Sequence, residues 1–294
     1  MALLPQGQLD LFIASASDVS PKAHQDLMSR CWFSLSKKKR YDPIIHRTGD
    51  SFVEITGDDR YGIANIWDND VLIFILSQYM NALNNGLATG RRFQFSGYEF
   101  FKFVGKKSVG GKDYDDLWKR LQRLHHTFVL TNIRMDEEHK QHSFNWLSDI
   151  KRMREGKVHR GYEITIPEWM YDSVVNKKMV LTLDDGYFSI RGGLERWLYM
   201  FARKASGYNV GGWSEGINSI YEKSGSKGTL SEFKRAVGKI VKKQSLIGYD
   251  VEQIEYPRQN GLFFQRSNAI VKLSSKGRQR RGAIKWRNTG DKGE

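Results

Sequence analysis

Apolar positions recur along this chain in one order, and the order comes twice. In the first pass Ile66 and Trp67 open a stretch carried on by Leu72, Ile75, Leu76 and Tyr79, the spacing of a core helix. FQFSGYEFFKFVG follows, predicting a short strand and then a second helix with Ser96 as its N-cap. A glycine turn over 105–111 leads into KDYDDLWKRLQRL, where Tyr114, Leu117, Leu121 and Leu124 line one face of a third helix. Residues 128–134 read as a strand, with partners predicted at 144–150 and 162–166.

The second pass begins with GLERWLYMFARKA, again a core helix, and continues with GGWSEGINSIYEKSG, where Ser214 reads as an N-cap after an aromatic, as Ser96 does. The turn 225–228 leads into TLSEFKRAVGKIVKK, whose inward residues Leu230, Phe233, Val237 and Ile240 repeat the spacing of the first copy. Strands are predicted at 249–255 and 262–266 around the turn 257–261. Helix, helix, turn, helix, hairpin is the winged-helix order. The expected fold is therefore α+β: two tandem winged-helix domains, 46–176 and 177–273. Residues 1–45, with Pro5, Pro21 and the run Lys37-Lys38-Lys39-Arg40, read as a mobile N-terminal arm, and the Gly-rich basic stretch 274–294 as a disordered tail.

Charge changes the picture most. Forty-seven Lys and Arg stand against 33 Asp and Glu, a net charge of +14, and a folded chain this basic points to nucleic acid, whose phosphates release counterions when neutralised. No run of 18 apolar residues predicts a membrane span, and the first residues do not follow the secretory-signal pattern. The single cysteine, Cys31, makes neither an internal disulfide nor a zinc site, which suits a reducing cytoplasm.

The two third helices differ in charge. Lys112, Lys119, Arg120 and Arg123 are opposed by Asp113, Asp115 and Asp116, all at the end that would face bases in a helix-turn-helix. From Ser226 to Lys243 six bases face Glu232 alone. The second copy is the expected reader. Its DNA-binding residues are Ser226, Lys227, Thr229, Ser231, Lys234, Arg235, Lys239 and Lys242, with Arg235 suited to a bidentate bond to guanine. Gly238 would let backbone come close to a phosphate, and Arg258 at the wing tip and Arg266 would reach the flanking backbone or minor groove. The first copy is expected to hold a like subunit, with auxiliary DNA contact from Lys106, Lys107 and the basic turn 151–154.

Catalytic patterns are not found. The chain has no GxxxxGK[ST] loop and no H-x-H triplet of a nicking enzyme. His125 and His126 are adjacent and diverge in a helix, and His139 and His142 lie in a polar wing tip. Asp113, Asp115 and Asp116 sit too close together to work as opposed acid and base and suit a helix N-terminus instead. No enzyme, metal or cofactor is expected.

The stretches DLFIA, WFSLSKKKR, GIANIWDNDVLIFILSQYMNALNNG, GGKDYDDLWKRLQRL, VLTLDDGYFSIRGGLERWLYMFARK and EKSGSKGTLSEFKRAV, between about Leu9 and Leu273, resemble the plasmid replication initiator protein A family of proteobacteria. The resemblance implies a cytoplasmic, plasmid-associated protein that binds direct repeats (iterons) at its origin, promotes local opening of the duplex, and works with host helicase and host initiator in plasmid copy control. In the wider class the first winged helix commonly serves dimerisation and the second makes the main repeat contacts. A dimeric winged-helix repressor, autoregulating its own gene, is the alternative. QLDLF, residues Gln8, Leu9, Asp10, Leu11 and Phe12, matches the peptide by which bacterial proteins dock on the replicative sliding clamp, with Leu11 and Phe12 filling an apolar pocket; packing of the same residues onto the protein's own first domain is the competing expectation.

Overall fold

The computed structural model describes residues 11–14, 19–133, 141–156, 158–176, 179–207, 211–255 and 260–267. The chain enters as β1 (Leu11–Ile13), β2 (Lys22–His24) and the short α1 (Gln25–Ser29), then forms the hairpin β3 (Ile44–Thr48) and β4 (Ser51–Gly57). The first unit follows: α2 (Asn69–Asn84), β5 (Arg92–Phe95), α3 (Gly97–Phe103) and α4 (Gly111–His126). After these come β6 (Thr127–Thr131), β7 (His142–Asn145), β8 (Asp149–Glu155) and β9 (Val158–Thr165). α5 (Glu168–Val175) and β10 (Val180–Thr182) lead to the second unit: α6 (Gly193–Ser206), β11 (Trp213–Gly216), α7 (Ile217–Ser224), α8 (Leu230–Lys243), β12 (Tyr249–Glu255) and β13 (Asn260–Arg266).

The two units share one sheet topology. In the first, the order is β5-β9-β8, and β1 adds a parallel strand beside β5; in the second it is β11-β13-β12. In both, the short strand between the first two helices pairs with the last strand of the hairpin. The first unit differs by an inserted hairpin, β6–β7. β6 does not pair with residues 162–166 as its sequence suggested; it joins β4, with Val53 opposite Thr131 and Gly57 opposite Thr127, in the sheet β3-β4-β6-β7. Its alternation drives this: Thr127, Val129 and Thr131 turn inward while Phe128 faces out, and β4 supplies the matching inward Val53 and Ile55.

Each core helix is built for burial. α2 is buried over nearly its whole circumference, and Phe74 alone meets the rings of Phe93, Phe95, Phe100 and Phe103 at 5.2–5.8 Å. Ser96 caps α3 as expected, in a reciprocal box with Glu99. Ser214 does not cap α7. It lies in β11 opposite Phe263, and Gly216 takes the cap position, because Trp213–Gly216 pairs with β13 along its whole length.

Residues 19–45 are not an arm. β2 pairs antiparallel with β10, α1 packs on α6, and Cys31, Trp32 and Phe33 are buried, with Phe33 5.0 Å from the Trp146 ring. The apolar positions of DLMSRCWF, too many for a solvated strand of chain, make the segment a filling between the units. The approach is close enough that a Cβ on Gly193, at the start of α6, would stand 2.0 Å from the Leu35 carbonyl oxygen. The tail 274–294 lies outside the described residues. Among the described residues no helix is long and apolar enough to cross a membrane.

Candidate nucleic-acid interface

α7 ends on Gly225, whose left-handed backbone (φ +60°) turns the chain sharply. Four residues later Thr229 caps the start of α8. Its hydroxyl accepts from the Glu232 amide at 3.3 Å, while the Glu232 carboxylate accepts from the Thr229 amide at 2.7 Å. The Thr229 amide, and its hydroxyl at 3.0 Å, both donate to the Glu232 carboxylate and hold it below the usual range. Phe233, Val237 and Ile240 are buried, Leu230 is half-buried, and Tyr221 fixes the turn by donating to the Gly228 carbonyl at 2.8 Å.

With that face inward, Ser231, Lys234, Arg235, Lys239 and Lys242 are all exposed. The one acid of the helix is committed to its cap, so the outward face is a basic surface. A groove of about 380 Å³ runs between it and the start of α6, lined by Gly192, Glu195, Arg235, Lys239 and Lys243. A Cβ on Gly238 would meet only Gln253 Nε2, at 3.8 Å, so the backbone there is not crowded.

The remaining residues expected to bind DNA are placed differently. The Ser226 amide donates to Ser224 Oγ at 3.1 Å, and Lys227 is paired with Asp42. Thr229 spends its hydroxyl on the cap rather than on a base. Arg258 lies outside the described residues. Arg266 does not flank the wing tip: it stands opposite Tyr249, at the far end of the hairpin from the Glu255–Asn260 pair, and is half-buried. Lys106 is bound to Asp113 and lies 5.7 Å from the Phe101 ring, whereas Lys107 is exposed in the loop before α4.

α4 offers no comparable surface, since most of its charges are paired within the first unit. Arg123 grips buried Asp68 with two bonds, 2.7 and 2.8 Å, and Arg120 donates to the Trp67 carbonyl at 2.7 Å. Asp115 pairs with Arg152 at 3.0 Å, and Trp118 stacks on Tyr162. The ribbon β8–β9 thus lies against α4.

The peptide Gln8–Phe12 is divided. Gln8, Leu9 and Asp10 lie outside the described residues. Leu11 and Phe12 form β1, and Phe12, 9% exposed, is stacked 5.2 Å from Tyr79 and 5.5 Å from Phe93. As folded, Phe12 fills the protein's own core.

The units are joined by a buried charge pair that sequence reasoning missed. Arg196 of α6 donates to Asp70 of α2 at 2.6 Å and to the carbonyls of Ile190 and Phe188 at 2.8 and 3.0 Å, with its guanidinium over Tyr187. Burial pushes the Asp70 carboxyl up to about 6, against the opposing pull of Arg196 and Arg120.

The family described as Replication initiator protein A matches residues 22–251. The chain belongs to that family. A relative from Wigglesworthia glossinidia brevipalpis, named "Putative replication protein", is 34% identical over 195 residues, 65% of this chain and 70% of the relative. Crystal structures of domains 2 and 3 of RctB share the fold. One has a TM-score of 0.59 at 12% identity, covering 82% of this chain and 98% of the other; a second has 0.53 at 12%, covering 80% and 95%. Membership of the replication initiator protein A family thus agrees with the resemblance its sequence carries.

Proposed function

We propose that this replication initiator acts at a plasmid origin through two winged-helix units, the second reading direct repeats and the bound array opening the adjacent duplex. The shared element order and sheet topology of the units support the tandem reading. The observation that carries the DNA reading is the exposed basic face of α8. In a helix-turn-helix the first residues of the second helix meet base edges. Here those are Ser231, Lys234 and Arg235, with Lys239 and Lys242 following toward phosphates. The mechanism is binding without a catalytic step.

Magnitudes set the stoichiometry. Stacking averages ~1.4 kcal/mol per base-pair step, so ten opened steps cost on the order of 14 kcal/mol. The specific advantage of one bound protein is about 4–10 kcal/mol. An array of protomers, DNA bending and negative supercoiling, or helicase and a host initiator supply the difference. Docking on a sliding clamp through Gln8–Phe12 belongs to the same proposal, and it requires β1 to leave β5.

A dimeric repressor of its own gene is favoured by a separate observation. On the outer face of the sheet β3-β4-β6-β7, Ile45 is 53% and Phe128 41% exposed, two apolar side chains on either side of β4 that a second copy would cover. A footprint of the full-length protein on DNA flanking its gene separates the readings. Several protected stretches in one orientation, about 21 bp apart, support the initiator; one inverted repeat supports the repressor, and no protection rejects both.

A further inference from the structure

The turn that precedes α8 does not stand alone. A strap, residues 36–42, lies across it from the first unit. The Arg40 guanidinium donates to three carbonyls at once: Asp42 at 3.1 Å, Pro43 at 3.2 Å and Gly225 at 2.8 Å. Gly225 is the left-handed residue that ends α7 and opens the turn before α8. The strap is anchored to its own unit by Ile63, whose amide donates to the Arg40 carbonyl at 2.8 Å, and the chain just before it is tied to α7 by the Cys31 amide on the Lys223 carbonyl, also 2.8 Å. Asp42 then reaches Lys227, and both side chains stay largely in water, 62% and 64% exposed.

The strap is strongly basic. Lys37, Lys38 and Lys39 are exposed; Lys37 lies over the Trp67 ring at 4.9 Å and Lys39 donates to the Arg60 carbonyl at 2.7 Å. The Lys38 amide donates to Ser36 Oγ at 3.1 Å, so the three lysines ride on a defined turn. Nearby acids are few. Asp42 is on Lys227, the Asp58 carboxylate accepts from the amides of Arg60 and Tyr61 at 2.8 and 2.9 Å, and Asp59 is exposed beside them.

We propose that the strap 36–42 is a second DNA-backbone surface continuous with the start of α8, and that Asp42 occupies on Lys227 the place a DNA phosphate takes on binding. This rests on α8 being the reader. A helix that enters the major groove by its first turn brings the preceding turn, and whatever is bonded to it, over the flanking phosphates. An exposed carboxylate on an exposed lysine is a weakly held acceptor with the chemistry of a phosphate oxygen, so the exchange is easy. Three lysines beside it suit a polyanion.

The test uses the full-length protein, duplex DNA carrying its footprinted site and unrelated duplex of equal length, with affinity measured over a range of salt. Lys38→Ala is expected to weaken both duplexes about 3–10-fold at low salt and to reduce the salt slope by about one. Asp42→Asn is expected to tighten both by a similar factor, leaving their ratio unchanged. Lys38→Cys carrying a DNA-cleaving chelate should cut the backbone beside the site, while Cys31, being buried, stays unlabelled. If Lys227→Ala and Arg235→Ala weaken the site while Lys38→Ala, Asp42→Asn and the chelate do nothing, the strap is not part of the surface. Weaker binding by Asp42→Asn overturns the exchange. Unchanged site preference in Arg235→Ala overturns the reading role of α8 instead.

Discussion

Phe12 shows how one residue can be read two ways. A displayed docking peptide leaves its phenylalanine in water, and its loss then changes stability by no more than about 0.5 kcal/mol. The structure puts the ring between Tyr79 and Phe93. Phe12→Ala should therefore cost about 3–5 kcal/mol, measured by urea unfolding. His46 makes a second prediction at this scale. Burial first, then the nearby Arg30 and Arg40, hold its ring down to about 4. An unfolded histidine binds its proton near pH 6.5. Between those values the unfolded state holds more protons, so the ring's contribution to stability falls as pH drops from 6.5 to 4, by ~3 kcal/mol at most. Asp70 works in the opposite sense over pH 4–6, because its carboxyl is raised in the fold. The profile of the wild type alone is thus flattened. The difference between wild type and His46→Gln isolates the ring, and it should shrink on acidification across that window.

At the scale of the element, α8 was the most legible part of the chain. Its inward residues stand next to one another in a single period, and its cap is a four-residue pattern, T-x-x-E, that needs nothing from elsewhere. The same locality made Ser96 legible. Ser214 failed because a local cap signal lost to strand pairing with β13, which lies about 50 positions on. Arg40 failed for the same reason at greater range: its Gly225 partner is 185 residues away, and a run of lysines looks alike whether it is free or strapped to another unit. Thr229 was legible as a polar residue at the right place but not as one whose hydroxyl is already used. Thr229→Ala should cost about 1 kcal/mol of stability, and Thr229→Ser should restore it. If Thr229→Ala instead changes sequence preference in a binding-site selection without moving the melting temperature, the residue reads DNA and the cap is incidental.

Over the whole molecule, two similar units behave as one body because their core helices share a charge. Asp70 belongs to α2 and Arg196 to α6, and each is almost fully buried. Taking both from water is expensive, so the pair is weak evidence for stability when intact, yet removing one partner strands the other in a dry interior. Arg196→Met leaves Asp70 with Arg120 alone, 3.7 Å away. The expected loss is about 3–5 kcal/mol, with Asp70→Asn similar and the double variant losing less than the sum. The loss should also have a shape. The buried apolar side chains of both units form one cluster, and β2–β10 and the chain from Cys31 to Phe33 cross between them. The wild type is therefore expected to melt in one transition. With the pair broken, the smaller second unit keeps only its own sheet and three helices around Trp197 and Phe264, and it should unfold ahead of the first. Urea unfolding followed at once by far-ultraviolet dichroism and by tryptophan fluorescence tests this: coincident curves for the wild type and separated ones for Arg196→Met are expected, while coincident curves for both would show that the filling segment, not the charge pair, holds the units together.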